Sequence, residues 1–259
     1  VAAAQAAAIE VIVTDHHEPE GAPAPALAVV NPKLTPGHPA GILAEHNAVR
    51  SNVGIFDVSH MGEFEVTGPD RNAFVNRVTC NDVSVLEPGG VQYSGLLTRE
   101  GTFIDDCTVY RFDDKLMIVV NASNIAAAWE HIVEEKKGAN IRLKNISADV
   151  GLIAVQGPNA EQVLQGLTPR RLDTATIWEA LLAAGAPPIG LGARDSLRLE
   201  LGYALYGHEI DRTITPYEAG LGWIVKLDKG APFVGAESLR SQAHEAANRR
   251  NGKTSPAAP

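Results

Sequence analysis

Along the middle of the chain, stretches in which apolar residues recur at helical spacing alternate with stretches in which they recur at strand spacing. Residues 42–50 place apolar side chains close to helical spacing and predict an amphipathic helix. Residues 63–67 alternate apolar and polar positions, which predicts a strand. Gly68-Pro69-Asp70 follows directly and predicts the start of a second helix, because proline suits the first helical turn.

Three further strands are predicted in immediate succession. Residues 91–98, 103–112 and 115–121 have strand character and are separated by short turn sequences. An antiparallel meander is the simplest arrangement of consecutive strands with such short connections. Asn121 or Ser123 is predicted to cap the helix that follows.

One pattern occurs twice in the chain. Residues 64–69 read Phe-Glu-Val-Thr-Gly-Pro, residues 153–158 read Ile-Ala-Val-Gln-Gly-Pro, and a helical pattern follows each. Two units of strand, Gly-Pro turn and helix indicate an α+β fold in which helices pack on antiparallel sheets. The other predicted elements are strands at residues 10–14, 141–146, 151–156 and 222–227 and helices at residues 177–184 and 194–201.

The composition narrows the class of protein. Of 259 residues, 45% are hydrophobic and 20% are charged, which is typical of a chain with a packed core. The net charge of -9 opposes binding to phosphate backbones, so no nucleic-acid partner is expected. The sequence has no long apolar run and no secretory leader pattern, which predicts a cytoplasmic protein without a membrane partner. Cys80 and Cys107 are then expected to be free thiols.

Two adjacent carboxylates interrupt the second strand of the meander. Neighbouring strand residues point to opposite faces, so either Asp105 or Asp106 must face the core or a cleft, where an unpaired carboxylate is costly. Asp106 shares a strand face with Tyr110, and Tyr93 lies on a neighbouring strand. An acid and two aromatic rings on one surface suit a flat heterocyclic ligand. A carboxylate that caps the turn at residues 100–101, beside two ordinary sheet tyrosines, is the alternative.

Three other polar stretches carry candidate chemistry. Arg194 follows a glycine-rich turn and has planar donors that can bind a carboxylate or a polar ring edge. A surface ion pair with Asp195 or Glu200 is the alternative.

Residues 206–211 bring His, Glu and Asp together, but a turn is favoured there over a metal site. Residues 15–17 are Asp-His-His, a donor set that suits Mn²⁺ or Zn²⁺. Three consecutive side chains rarely complete a coordination shell, so no metal site is predicted.

Several motifs, in the same order along the chain, resemble the aminomethyltransferases, the T-proteins of the glycine cleavage system. The resemblance extends over residues 39–239. It rests on FDVSHMG at residues 56–62, residues 101–106 with Tyr110, residues 120–122, GLGARDSLRLE at residues 190–200, YGHEID at residues 206–211 and TPYEAGLGW at residues 215–223.

The resemblance implies a tetrahydrofolate-dependent enzyme. Members of the family take an aminomethyl group from the lipoyl arm of the H-protein, transfer its methylene to tetrahydrofolate and release ammonia. The expected cofactor is therefore tetrahydrofolate, and the expected partner is lipoylated H-protein. The catalytic acid of the family corresponds to Asp106, and its folate contacts correspond to Met61, Tyr93, Tyr110, Asn121 and Arg194.

The chain departs from the family pattern in three places. The family has a Gly-Tyr-Thr-Gly-Glu-like turn that supplies a pterin-binding Glu and a stacking Tyr, whereas here residues 168–174 bridge the interval without it. No C-terminal β-barrel follows residue 239, and the family segment before residue 39 has no counterpart. Residues 11–19 and 28–32 instead resemble the DHH-family phosphoesterases, notably RecJ-like single-strand exonucleases.

Together these patterns predict a truncated, T-protein-like α+β folate-binding fold with a foreign start. The expected organisation is a DHH-like fragment and linker at residues 1–38, T-protein-like parts at residues 39–168 and 169–239, and a disordered tail at residues 240–259. The second T-protein-like part carries the internal deletion. Two alternatives to an aminomethyltransferase stay open: a non-catalytic folate-fold binding module, and a metal-dependent phosphoesterase of the DHH type.

Overall fold

The computed structural model of the chain describes residues 12–14, 28–30, 41–165 and 174–250. Within these residues, no helix is both long enough and apolar enough to cross a membrane. The Asp-His-His stretch at residues 15–17, the linker at residues 31–40 and most of the interval at residues 168–174 lie outside the described residues.

Nine strands are described. In chain order they are β1 (Ile12–Thr14), β2 (Ala28–Val30), β3 (Gly54–Asp57), β4 (Gly62–Thr67), β5 (Val91–Leu97), β6 (Phe103–Arg111), β7 (Lys115–Val120), β8 (Arg142–Asn145) and β9 (Ile153–Gln156).

The described α-helices follow the same chain order. They are α1 (Ile42–Ser51), α2 (Arg71–Val78), α3 (Ile125–Glu134), α4 (Ala160–Gln165), α5 (Thr174–Ala183), α6 (Leu191–Glu200) and α7 (Ala236–Arg250). The strands and helices predicted between residues 42 and 201 all form, with ends that shift by up to three residues. The predicted meander is confirmed, because β5, β6 and β7 pair consecutively and antiparallel.

Three local predictions were wrong. Residues 222–227 form no strand; Gly222–Ile224 is a 3-10 turn, because Ile224 and Val225 donate their backbone N–H groups to carbonyls three residues back. The tail predicted from residue 240 is helical as far as Arg250. Neither Asn121 nor Ser123 caps α3 with its side chain.

The described chain forms two compact units, and each combines two separate segments. The first unit comprises residues 1–60 and 151–203, and the second comprises residues 61–150 and 204–259. The boundaries predicted at residues 38 and 168 fall outside the described residues and stay predictions.

The first unit is built on the antiparallel pair β3–β9, and Pro188 extends it through a bridge to Ile55. Helices α5 and α4 supply apolar side chains to the core of the unit. That core contains Val53, Ile55, Trp178, Leu181 and Ala186. Helix α6 contacts α1 in the same unit. A separate parallel pair, β1–β2, completes the described strands of the unit.

The second unit is built on a five-stranded antiparallel sheet with the order β5-β6-β7-β4-β8. One sheet face packs on α2 and α3 through a core that includes Phe64, Val66, Val109 and Ile132. Tyr93, Leu97 and Phe103 lie on the opposite face, where segments after residue 203 pack on them. We call the sheet surface that faces away from α2 and α3 the open face. It carries the polar candidate residues.

Candidate functional site

The two adjacent carboxylates of β6 point to opposite faces of the sheet, as the strand periodicity predicts. The register of the β5–β6 pair shifts between Leu96 and Leu97, and the shift accommodates an extra residue just before Asp105. Asp105 is fully buried, on the same face as the helices. Asp106 is half-buried on the open face, directly opposite Gly95 of β5.

Asp105 holds the start of the 3-10 turn that leads into α3. Its carboxylate accepts the backbone N–H of Asn121 at 2.8 Å and the side-chain amides of Asn121 and Asn124, both at 2.8 Å. Burial raises the pKa of Asp105 to about 7, although these hydrogen bonds act in the opposite direction. Asp105, on the neighbouring strand β6, therefore caps the segment before α3. The sequence had predicted that Asn121 or Ser123 would do so.

Asn121 couples the two carboxylates. Its amide nitrogen donates to Asp105 Oδ1 at 2.8 Å and to Asp106 Oδ1 at 2.7 Å. The other oxygen of Asp106 accepts the hydroxyl of Tyr93 at 3.0 Å. Burial and the neighbouring Asp106 raise the pKa of Tyr93 well above its ordinary value, so the phenol stays protonated and donates. Each oxygen of the Asp106 carboxylate thus accepts at least one hydrogen bond.

The strand register places five predicted residues together. Tyr93 lies opposite Thr108, and Thr108 is two residues from both Asp106 and Tyr110, so these side chains share the open face. Asn121 continues β7 beyond Val120 on the same side, and Met61 immediately precedes β4, which pairs with β7. Met61, Tyr93, Asp106, Tyr110 and Asn121 therefore form one polar and aromatic surface in the second unit.

Arg194, the sixth predicted residue, lies in the first unit, in the second turn of α6. The alternative in which it pairs with Asp195 or Glu200 was wrong. Asp195 Oδ1 instead bonds Arg198 Nε at 2.7 Å, and Glu200 bonds His46 and Arg50 of α1. Among the described residues, Arg194 has no ion-pair partner.

The position of α6, and with it that of Arg194, is fixed by polar contacts with α1. His46 Nδ1 lies 2.9 Å from Ser196 Oγ, and His46 Nε2 lies 3.0 Å from Glu200 Oε2. His60 lies in the same unit, and burial followed by the nearby Arg194 charge lowers its pKa.

A cavity of about 540 Å³ adjoins the open face, and Tyr93 is part of its wall. The Tyr93 ring stacks on the exposed Trp223 ring with centroids 6.0 Å apart and planes inclined by 27°. Sequence reasoning missed Trp223 as a wall residue, because it treated residues 222–227 as a strand. The glycine beside it, within the 215–223 motif, was the available signal of a turn.

Lys229 is a second residue that the sequence did not single out. It is buried, and its Nζ donates to the backbone carbonyls of Asn76, Thr79 and Asn81 at 2.5–2.7 Å. The first two carbonyls belong to the C-terminal end of α2, where a positive charge is favourable. Its Nζ also lies 4.6 Å from the centre of the Phe233 ring.

Replacing Lys229 with Met should lower the free energy of unfolding by about 2 kcal/mol, because buried carbonyls lose a charged donor. Burial lowers the pKa of Lys229 to about 8, so part of the lost bonding is offset by relief from desolvation. Urea unfolding monitored by fluorescence measures the change as a shifted midpoint at constant slope. Lys226→Met, at an exposed wall position of the same cavity, is the control. Equal urea midpoints for the two variants would contradict a stabilising role for the hydrogen bonds of Lys229.

The structure gives no support to a metal site at the described candidate motif. Residues 206–211 form a tight turn closed by a bridge between Tyr206 and Ile210, and Glu209 accepts the backbone N–H of Leu205 at 2.9 Å. In the described ranges, no group of three or more His, Cys, Asp or Glu side chains is placed to hold a metal ion. The Asp-His-His stretch at residues 15–17 lies outside those ranges.

Comparisons with known proteins agree with the observed fold. A family model of the GCVT N-terminal domain matches residues 31–176 and 169–229. A curated relative called Aminomethyltransferase, from Chloroherpeton thalassium, is 44% identical over 238 residues, which cover 75% of this chain and 66% of the relative. Another of that name, from Listeria monocytogenes serotype 4a, is 39% identical and covers 82% of this chain and 69% of the relative.

A solved structure with a similar fold is the glycine cleavage system aminomethyltransferase T from Bartonella henselae. Its TM-score is 0.73 at 29% identity, and the match covers 80% of this chain and 68% of that chain. This likeness confirms the predicted T-protein-like α+β fold. The chain spans 66% of the length of the Chloroherpeton thalassium relative and of another from Herpetosiphon aurantiacus.

Proposed function

The chain belongs to the aminomethyltransferase family that contains the GCVT N-terminal domain, and from this membership we propose that it transfers a one-carbon unit to tetrahydrofolate. The donor in this proposal is the aminomethyl group on the lipoyl arm of the H-protein, and ammonia is released. Tetrahydrofolate supplies the two nitrogens that bond to the methylene, as the bonds of this carbon to the lipoyl sulfur and to the departing ammonia nitrogen break.

The observation that carries the proposal is the Asp106 cluster on the open face. A half-buried carboxylate is fixed through both oxygens by Asn121 and Tyr93, with Tyr110 on the same face. This combination of an acid and aromatic rings fits a flat heterocycle with N–H donors. In this role Asp106 orients the heterocycle and holds or accepts a proton as the new bond forms.

Other chain residues contribute binding and orientation in this proposal. Met61 offers an adaptable apolar contact, and Arg194 offers a guanidinium without an ion-pair partner among the described residues. Placing the two reactants against each other accounts for most of the rate in such a transfer.

Replacing Arg194 with Ala should weaken tetrahydrofolate binding by about 10- to 100-fold, the range expected for losing a hydrogen bond from a charged donor. Calorimetric titration of the purified chain with tetrahydrofolate measures the affinity. Arg142→Ala is the matched control, because Arg142 is an exposed arginine on β8 outside the candidate set.

The outcomes of this titration separate the possibilities. Saturable binding that Arg194→Ala weakens and Arg142→Ala leaves unchanged would support the proposal. A folded wild-type chain that binds no tetrahydrofolate would contradict it.

A second candidate function is a folate-fold binding module without turnover. It is favoured by the missing Gly-Tyr-Thr-Gly-Glu-like turn, at the interval where the two matches to the family model meet. Turnover of aminomethylated H-protein distinguishes the two candidates. Product formation supports the transferase, and tetrahydrofolate binding without product supports the binding module.

A further inference from the structure

One buried carboxyl group in the second unit has no hydrogen-bond partner among the described residues. Glu63 of β4 is 1% exposed, and neither of its side-chain oxygens has a hydrogen-bond partner among the described residues. Its backbone is fully used, because its N–H donates to Ser147 Oγ at 2.8 Å and its carbonyl accepts from Ile146 at 2.9 Å. The strand is therefore fixed at this point, and only the side chain is unsatisfied.

The nearby charges do not compensate for this carboxyl group. Lys115 bonds Glu65 at 2.6 Å, and Lys144 bonds Asp149 at 2.9 Å, so both lysines close to β4 are already paired. Burial raises the pKa of Glu63 to about 7. The contrast with Asp105 is direct: Asp105 is equally buried but accepts three hydrogen bonds.

An unpaired buried carboxyl group does not help the chain to fold. Val119, which lies opposite Glu63 on β7, is an apolar residue buried at a comparable position. An apolar side chain of similar size at position 63 would avoid the cost of removing a carboxyl group from water. The glutamate is therefore explained better by a bond that forms when something binds than by the stability of the free chain.

Strand geometry places Glu63 on the open face. Phe64 and Val66 enter the core beneath the helices, so Glu63 points to the other side of β4. The row that contains Glu63 runs through Val119 and Thr108 to Tyr93.

The row that contains Glu63 lies next to the row that contains Asp106. Glu63 and Asp106 are separated by two strand spacings, about 10 Å, and by two residues along the strands, about 7 Å. The separation of these two backbone positions is of the order of a fused two-ring heterocycle with a hydrogen-bonding group at each end.

We propose that Glu63 is a further ligand-binding residue of the open face, whose carboxylate accepts hydrogen bonds from paired N–H donors of the heterocycle held beside Asp106. This inference rests on the proposed function, because tetrahydrofolate is the ligand that the site is proposed to take. A carboxylate has two acceptor oxygens in one plane, which match two adjacent N–H groups on a ring edge.

The test separates binding from stability. Glu63→Met replaces the carboxyl group with an apolar side chain of similar length, and Glu63→Gln keeps the shape but removes the charge. Glu65→Gln is the matched control, since it removes a charge two residues away on the same strand, from a side chain that already has a partner. Each variant is titrated calorimetrically with tetrahydrofolate and unfolded in urea.

We expect stability and tetrahydrofolate affinity to change in opposite directions. Glu63→Met should raise the urea midpoint while weakening tetrahydrofolate binding at least tenfold, and Glu63→Gln should also weaken binding at least tenfold. Glu65→Gln should leave the affinity within threefold of the wild-type value. A residue that served only the fold would lower the midpoint when replaced and would leave the affinity unchanged.

Two results would overturn the inference, and they are distinguishable. Wild-type affinity in both Glu63 variants would remove Glu63 from the site and leave the proposed function intact. Absence of tetrahydrofolate binding by the folded wild-type chain would overturn the proposed function, and the role of Glu63 with it.

Discussion

Replacing Asp106 with Asn is expected to lower the rate of methylene transfer by about 10²- to 10⁴-fold, the range typical for loss of a positioned acid or base. Asn121 and Tyr93 each donate to one oxygen of Asp106. An amide at position 106 must turn its own NH2 toward one of these donors, and it accepts no proton at neutral pH. Both the orientation and the proton chemistry of the site are then lost.

The fold should survive this substitution. Asp106 is half-buried, and Asn has the same shape, so we expect the free energy of unfolding to change by about 1 kcal/mol, as for one altered hydrogen bond. Single-turnover formation of methylene-tetrahydrofolate from aminomethylated H-protein measures the rate, and a urea curve measures stability.

Asp114→Asn is the control for this experiment, because Asp114 is exposed in the turn between β6 and β7. It should turn over at the wild-type rate. Near-normal turnover in Asp106→Asn would remove Asp106 from the mechanism. A large loss in both variants would point to a general effect of charge.

Replacing Gly157 with Ala should lower the free energy of unfolding by about 4 kcal/mol, since a strained backbone and an overlap with fixed backbone atoms add together. Gly157 has a φ of +123°. A Cβ atom there would lie 2.4 Å from the carbonyl oxygen of Asn52 and 2.8 Å from that of Val49. Neither oxygen can move without distorting the end of α1, because Asn52 also accepts the backbone N–H of Asn159.

Gly89→Ala separates the two contributions to this loss. Gly89 has a φ of +85° with no atom within 4 Å of the added Cβ, so its replacement should cost only about 1 kcal/mol, from backbone strain alone. Urea unfolding at constant slope measures both variants. Equal losses for the two glycines would show that the close approach at Gly157 is relaxed cheaply.

Much of the candidate site follows from local sequence pattern. The opposite orientation of Asp105 and Asp106 and the shared face of Asp106 and Tyr110 depend only on the two-residue period of a strand. The meander follows from three short strands with short turns. These predictions succeed because the interactions that decide them lie within a few residues along the chain.

Other parts of the site depend on residues that are distant in sequence. Lys229 reaches the carbonyls of Asn76 and Thr79, about 150 positions earlier, and no local pattern marks such a contact. Trp223 stacks on Tyr93 because a 3-10 turn, rather than a strand, carries it. That Glu63 lacks a hydrogen-bond partner within the described ranges follows only from the packing of residues far apart in sequence.

The sequence by itself determined the α+β class, the resemblance to the aminomethyltransferases, the repeated strand, Gly-Pro turn and helix, and the acid on β6. Each is encoded in residues that are close together in the chain. Only the tertiary structure decided that Asn121 couples the two carboxylates, that Asp105 caps the segment before α3, and that Asp195 and Glu200 pair elsewhere than with Arg194. Hydrogen bonds and charges act through space, so their partners are fixed by packing rather than by position along the chain.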